Sequence, residues 1–190
     1  MKRRSFLESA AALPLAGALR AAPSPSFESR IVRLNLEHTW TTTMSSSAYR
    51  DTLHTSYSRD GITGHGEGAP IVRYKEDAES ARKAADSVRD LLLNADPMQF
   101  SKLMAQVFRR VDGEWAGKAA IDIALMDWVG QKLGIPLYTY FGLDPKDTPL
   151  TTFSIGIDTP EITRQKTPAS GVPTGLPSNM TVVQPWMSGP

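Results

Sequence analysis

From Ser29 to Glu37 apolar and polar residues alternate, with Val32, Leu34 and Leu36 on one face and Arg33, Asn35 and Glu37 on the other. A period of two predicts a half-buried strand. The hydroxyl-rich stretch HTWTTTMSSS that follows keeps neither a helical nor a strand period and reads as a loop between strands. Tyr49, Asp51, Leu53, Thr55 and Tyr57 then share one face of a second strand, Asp60-Gly61 marks a turn, and a short strand resumes at Ile62. The expected opening unit is an antiparallel meander.

Three helices are predicted after it. In KEDAESARKAADSVRDLLLN, Ala78, Ala81, Ala85, Val88 and Leu92 recur at spacings of three and four, behind acidic residues in the first turn. In DPMQFSKLMAQVFRRV, Asp96 suits an N-cap, Pro97 the first helical position, and Phe100, Leu103 or Met104, Val107 and Val111 form the stripe. The third, EWAGKAAIDIALMDWVGQKLGIP, is stopped by Gly134 and Pro136. It differs in kind, because Trp115, Ala119, Ile123, Met126 and Leu133 make one apolar stripe while Ile121, Leu125, Trp128 and Val129 make another. A helix in a two-layer domain needs one such face, so the second predicts a further layer, domain or chain.

Composition narrows the classes. With 41% hydrophobic residues the chain is globular, and 21 Lys plus Arg against 20 Asp plus Glu leave no field that would select nucleic acid or anionic lipid. The absence of cysteine removes disulfides, thiolate nucleophiles and cysteine-ligated metal. The start, MKRRSFLESAAALPLAGALRAAPSP, has a basic head, an apolar stretch too short to span a bilayer, and a small-residue site before a Pro/Ser linker. This is an export signal, and Arg3-Arg4-Ser5-Phe6-Leu7 resembles the twin-arginine kind, which implies a periplasmic or otherwise exported protein with no membrane contact once the signal is removed. After Lys166 the 190-residue sequence contains no Lys, Arg, Asp, Glu or His and becomes rich in Pro and Gly, the pattern of a disordered tail. The expected organisation is a signal and linker over 1–26, one domain over 27–149, a strand and the start of a further unit over 150–166, and a tail over 167–190.

Strands, then helices, then Lys118-Ala119-Ala120-Ile121-Asp122-Ile123-Ala124-Leu125, Leu133-Gly134-Ile135-Pro136-Leu137-Tyr138 with Phe141-Gly142, and finally Ser154-Ile155-Gly156-Ile157-Asp158-Thr159-Pro160-Glu161 form an order that resembles the enolase superfamily. Within it the match is to the capping domain and first barrel strand of the muconate-lactonising and dipeptide-epimerase branch. The resemblance implies an α+β fold, a three-stranded meander followed by a helical bundle, on a TIM barrel. It implies Mg²⁺ held by carboxylates and lysines on opposite faces that remove and return the α-proton of a dipeptide. Those lysines and ligands are expected beyond Glu161, where this sequence does not supply them. The expectation is therefore a chain truncated by a frameshift near Lys166 or by gene fragmentation. It would bind no Mg²⁺ itself, have no catalytic or metal-ligating residue, and be inactive. A typical barrel takes roughly 250 residues.

The same resemblance makes HTWTTTMSSS a mobile loop that closes over substrate, with Trp40, Met44 and Ser46 as substrate-binding residues and Ser154 as a contact on the barrel strand. Trp40 reads equally as a lid aromatic or a core anchor. Met44 stands where acid-dipeptide epimerases commonly carry an arginine, and a thioether cannot make that charge-assisted bond, which points to a neutral or apolar substrate side chain. Gly64-His65-Gly66-Glu67-Gly68 lacks the Lys and following helix of a phosphate cradle. It resembles the second closing loop at the barrel mouth, with Glu67 a structural hydrogen-bonding residue. His38, His54 and His65 have no ligand spacing. Asp122 is expected to pair with Lys118, and Asp127 to be a buried, hydrogen-bonded carboxylate. The rival readings are another cycloisomerase or racemase of the superfamily, and a non-catalytic binding or assembly module that self-associates through the uncovered helix face.

Overall fold

The computed structural model describes residues 24–148 and 156–169, with side chains to residue 164. Residues 1–23 of the expected signal and linker (1–26), Ser154, and residues 170–190 of the expected tail (167–190) lie outside the described residues. Three antiparallel strands, β1 (Ser26–Thr41), β2 (Ser46–Arg59) and β3 (Ile62–Gly68), are ordered β1-β2-β3. They are followed by α1 (Ala78–Ser87), α2 (Arg89–Asn94), α3 (Phe100–Arg110), α4 (Trp115–Leu133), the short α5 (Leu137–Tyr140) and α6 (Pro160–Ala169). The meander and the helical layer agree with the α+β expectation. Among the described residues no helix is long and apolar enough to cross a membrane.

Two corrections concern the first hairpin. The stretch 38–47 is mostly strand: Trp40 pairs with Ser47 and Thr41 with Ser46, so the loop shrinks to residues 42–45 and the irregularity falls between Asn35 and Trp40, where the register shifts. Thr39, Trp40 and Thr41 favour the pleated conformation, and the Thr42 hydroxyl closes the turn by accepting from the Met44 and Ser45 amides at 3.2 Å each. The second correction is one of face. Phe27, Ser29 and Ile31 oppose Tyr57, Thr55 and Leu53, and it is this set that meets the helices, with Phe27, Leu53, Thr55 and Tyr57 buried. Val32, Leu34 and Leu36 lie on the opposite side of the sheet, Leu34 being exposed. β1 is apolar on both faces, and the cross-strand partners, not its own alternation, decide which side is core.

β2 turns into β3 at Asp60 and Gly61, whose φ values of 55° and 76° suit the primed turn that matches strand twist. β3 then lies against α4 unusually closely. A Cβ on Gly64, Gly66 or Gly68 would sit 2.1, 2.0 and 1.9 Å from the carbonyl oxygens of Ala124, Ala120 and Ala116. Two strand residues advance about 6.8 Å and four helical residues about 6 Å, so the glycines and alanines stay nearly in step. The Thr55 hydroxyl donates to the Ala120 carbonyl at 2.8 Å across the same contact. The glycine run is therefore a strand packed on a helix, not a loop at a barrel mouth.

The buried face of α4 carries Ile121, Leu125, Trp128 and Val129 into a core shared with Ala81, Ala85, Val88, Leu92, Leu103 and Val107. The other face stays open at Trp115, Ala119, Ile123 and Leu133, while Met126 is buried. At the start of α4 the Glu76 carboxylate accepts from the Trp115 and Ala116 amides at 2.7 and 3.1 Å, filling two orphan donors at a positive helix end. At its end Gly134, with φ 68°, donates to the Gln131 carbonyl and Ile135 to that of Gly130, the Schellman arrangement. The first predicted helix is divided at Val88 (φ −108°, ψ 9°), next to Ser87, whose hydroxyl donates back to the Ala84 carbonyl at 2.7 Å. In the second, Asp96 caps a 3-10 turn at Pro97–Gln99 by accepting from the Met98 amide, and α3 begins one residue later.

Candidate functional site

The hairpin tip brings Trp40, Met44 and Ser46 together. Met44 is 55% exposed, Trp40 is half-buried, and the Ser46 hydroxyl is 2.8 Å from that of Thr41 across the last strand pair. Gly156 packs on this tip, its missing Cβ lying 3.0 Å from the Thr41 amide nitrogen and 3.5 Å from the Trp40 ring, and Ile157 donates its amide to the Thr41 carbonyl at 2.9 Å. The segment that follows the undescribed Ser154 thus rests on the tip itself. Trp40 sits between the two readings open from sequence, walling a cleft while half covered.

That cleft, about 210 Å³, lies between the tip and the segment after β3, with Trp40, Thr42, Met44, Arg50, Ile71 and Arg73 among its walls. Arg50 and Arg73 were not singled out from sequence, and the missing signal is structural. Arg50 belongs to the β2 face turned away from the helices and opposes Leu34, whereas Arg73 reaches the same cleft from a 3-10 turn at Val72–Tyr74. A second cleft of about 380 Å³, between α2 and α3, is walled by Asp90, Asp96, Lys102 and Arg110 among others. There Arg110 already bonds Asp90 at 3.0 Å, and this hydrogen bond holds the Asp90 carboxyl below the usual carboxylate range.

The other sequence candidates are dispersed. His65 places Nδ1 3.2 Å from the Ser56 hydroxyl, and His54 Nε2 stands 3.8 Å from Glu67 on the outer sheet face. His38 is an exposed residue of β1. Among the described residues no group of three or more His, Asp or Glu is disposed to hold a metal ion. Asp127 accepts the His65 amide at 2.8 Å, as a hydrogen-bonded carboxylate should, though it is half-buried. Asp122 is not paired with Lys118: the Lys118 ammonium lies 4.6 Å from the Trp115 ring centroid and 4.7 Å from that of Phe108. Helical spacing permits the ion pair, but Lys118 is 5% exposed and its ammonium faces the two rings instead. Burial pushes the Asp122 carboxyl up.

Comparison with known proteins gives this arrangement a lineage. Residues 33–142 match the family described as mandelate racemase/muconate lactonizing enzyme, N-terminal domain. Over 134 residues the chain is 37% identical to an L-Ala-D/L-Glu epimerase of Bacteroides thetaiotaomicron, covering 70% of this chain and 35% of the relative. It is 35% identical over 138 residues to an L-Ala-D/L-amino acid epimerase of Pedosphaera parvula, covering 70% and 39%. Among solved structures, a dipeptide epimerase of Enterococcus faecalis complexed with Mg and the dipeptide L-Leu-L-Tyr superposes with a TM-score of 0.66 at 27% identity, over 75% of this chain and 40% of that one. The chain thus spans little more than a third of the curated relatives it matches. On the match over 33–142, the meander and the helical layer, the chain belongs to the mandelate racemase/muconate lactonizing enzyme N-terminal domain family, with the α+β capping fold of the enolase superfamily.

Proposed function

We propose that this chain carries the substrate-covering cap of a Mg²⁺-dependent dipeptide epimerase, an isomerase that removes and returns the proton at the α-carbon of a dipeptide. The observation that carries the reading is the hairpin tip, where Trp40 and Met44 border a cleft and the segment leading from Ser154 is bonded to Thr41. Epimerase relatives support it. Mg²⁺ would supply the charge that stabilises the enediolate in the intact family. The cap's own residues enclose the substrate and exclude water.

The 190 residues by themselves are proposed to be inactive, since the sequence after Lys166 has none of the side chains that move the proton or hold the metal. The test is α-proton exchange in D₂O with L-Ala-L-Glu, L-Ala-L-Leu and Mg²⁺, on the chain alone and on residues 24–148 joined to the barrel of the Enterococcus faecalis enzyme. Exchange by the fusion only is expected. Exchange by the chain alone would sink the inactivity, and none from a folded fusion would sink the epimerase reading. Export through the twin-arginine route is part of the proposal, and a reporter fused after Pro25 that stays in the cytoplasm would overturn it.

A further inference from the structure

We propose that the cleft at the hairpin tip is a carboxylate site in which Arg50 and Arg73 hold the anionic group of a bound peptide; that the peptide is a dipeptide rests on the epimerase reading above. Two cationic side chains line one cleft of about 210 Å³, and no Asp or Glu is among its described walls. Many arginines of the described surface are already engaged, and although Arg30 and Arg109 also lack an ion pair, Arg50 and Arg73 are the two that line this cleft. Arg33, Arg82, Arg89, Arg110 and Arg164 each pair with a carboxylate, and Arg59 donates to the Ala95 carbonyl at 2.5 Å. Arg50 and Arg73 have no ion pair or side-chain hydrogen bond among the described residues. Like charges brought to one concave surface without a counter-charge repel, and an anion placed between them removes that repulsion.

The walls supply the rest of a recognition surface. Trp40, Met44 and Ile71 offer apolar contact, and the Thr42 hydroxyl stands on the turn between them. The volume lies below the roughly 300–1,000 Å³ of pockets that enclose a whole small ligand. It suits one end or one side chain of a peptide. Met44 removes a charge from the position where the family resemblance expects an arginine, but the cleft regains positive charge from Arg50 on the strand and Arg73 beyond β3. A neutral substrate side chain therefore does not follow from Met44 alone.

The carboxylate is either the peptide's C-terminus or an acidic side chain, and three peptides separate these. The ¹⁵N-labelled 190-residue chain is titrated with L-Ala-L-Glu, L-Ala-L-Gln and L-Ala-L-Gln amide, with acetate as the bare anion, following the Arg50 and Arg73 Nε–H signals and the Met44 methyl. Saturable shifts with L-Ala-L-Glu are expected, and Arg50→Gln or Arg73→Gln weakens them about tenfold, the loss of one charge-assisted bond at a partly solvated site. Arg50→Lys keeps the charge and retains part of the binding. Preference for L-Ala-L-Glu assigns the side chain. Equal binding of L-Ala-L-Glu and L-Ala-L-Gln with loss for the amide assigns the C-terminus. Equal binding of all three peptides, or titrations unchanged in both Gln variants, overturns the proposal. Peptides that bind no better than acetate leave the carboxylate site standing and remove the dipeptide reading, so the two fail separately.

Discussion

At Gly66 a single hydrogen decides a contact, because a methyl group there would lie 2.0 Å from the Ala120 carbonyl oxygen and 2.9 Å from the Thr55 hydroxyl. Backbone on one side and a buried threonine on the other leave nothing to yield. Gly66→Ala is expected to lower unfolding free energy by about 3 kcal/mol, the upper range for overpacking, as measured by urea titration. Asp122 makes a different prediction. Desolvation raises its carboxyl above the ordinary range, so the folded state binds the proton more tightly than the unfolded chain and stability falls as pH rises through the interval between the two values. Asp122→Asn should remove that fall, and a chain whose thermal midpoint keeps the same pH slope after the substitution would contradict it. Asp51, held by Arg33, and Asp60, held by Lys132, have lowered values and carry the opposite sign. Their contributions are present above the unfolded value and disappear as pH falls through the folded one. Sequence reached Asp127 and its hydrogen bond but not the partner of Lys118, because rings on α3 and α4 meet only after the helices pack.

The elements were legible where period and caps agreed. The three helices, the Asp60-Gly61 turn and the Asp96 cap all follow from local chemistry. What was not legible came from partners distant in sequence. The covered face of β1 is selected by Leu53, Thr55 and Tyr57 on β2, and the hairpin arms at residues 40–41 and 46–47 are strand because they pair, not because they alternate. Glu76 is the clearest omission. It is one residue before the Asp77 and Ser80 capping box of α1, so it reads as a first-turn acid, yet it caps α4 from 39 residues away along the chain. Glu76→Ala is expected to cost about 1–2 kcal/mol by the loss of a cap at a helix N-terminus. Faster amide exchange should appear at Trp115 and Ala116. Protection there equal to the parent chain's would show that the carboxylate does not hold the helix.

For the molecule as a whole, the second apolar face of α4 was foreseen from sequence and stays uncovered, with Trp115 at 51% and Ile123 at 49% exposure. Phe108, also exposed, extends the patch from α3 and stacks obliquely on Trp115 at 6.1 Å. Self-association through this face is expected, and Ile123→Glu should lower the weight-average mass in light scattering without changing the far-ultraviolet spectrum. An unchanged mass would place the association elsewhere. The site was legible only in part: Trp40, Met44 and Ser46 came from resemblance, whereas Arg50 and Arg73 had to be brought to one cleft by the sheet before their lack of partners had meaning. The stepped glycines of β3 carry a last consequence. Sliding the strand two residues and the helix one turn would nearly reproduce the contact, so the seam works like a vernier whose graduations cannot by themselves mark zero. The mark is polar: at the turn Asp60 meets Lys132, the Thr63 carbonyl meets Gln131 and the Arg59 carbonyl meets the Trp128 indole, and further along Asp127 takes the His65 amide and Thr55 the Ala120 carbonyl. Three of these five contacts gather at the turn, at the far end of β2 from the tip that borders the cleft.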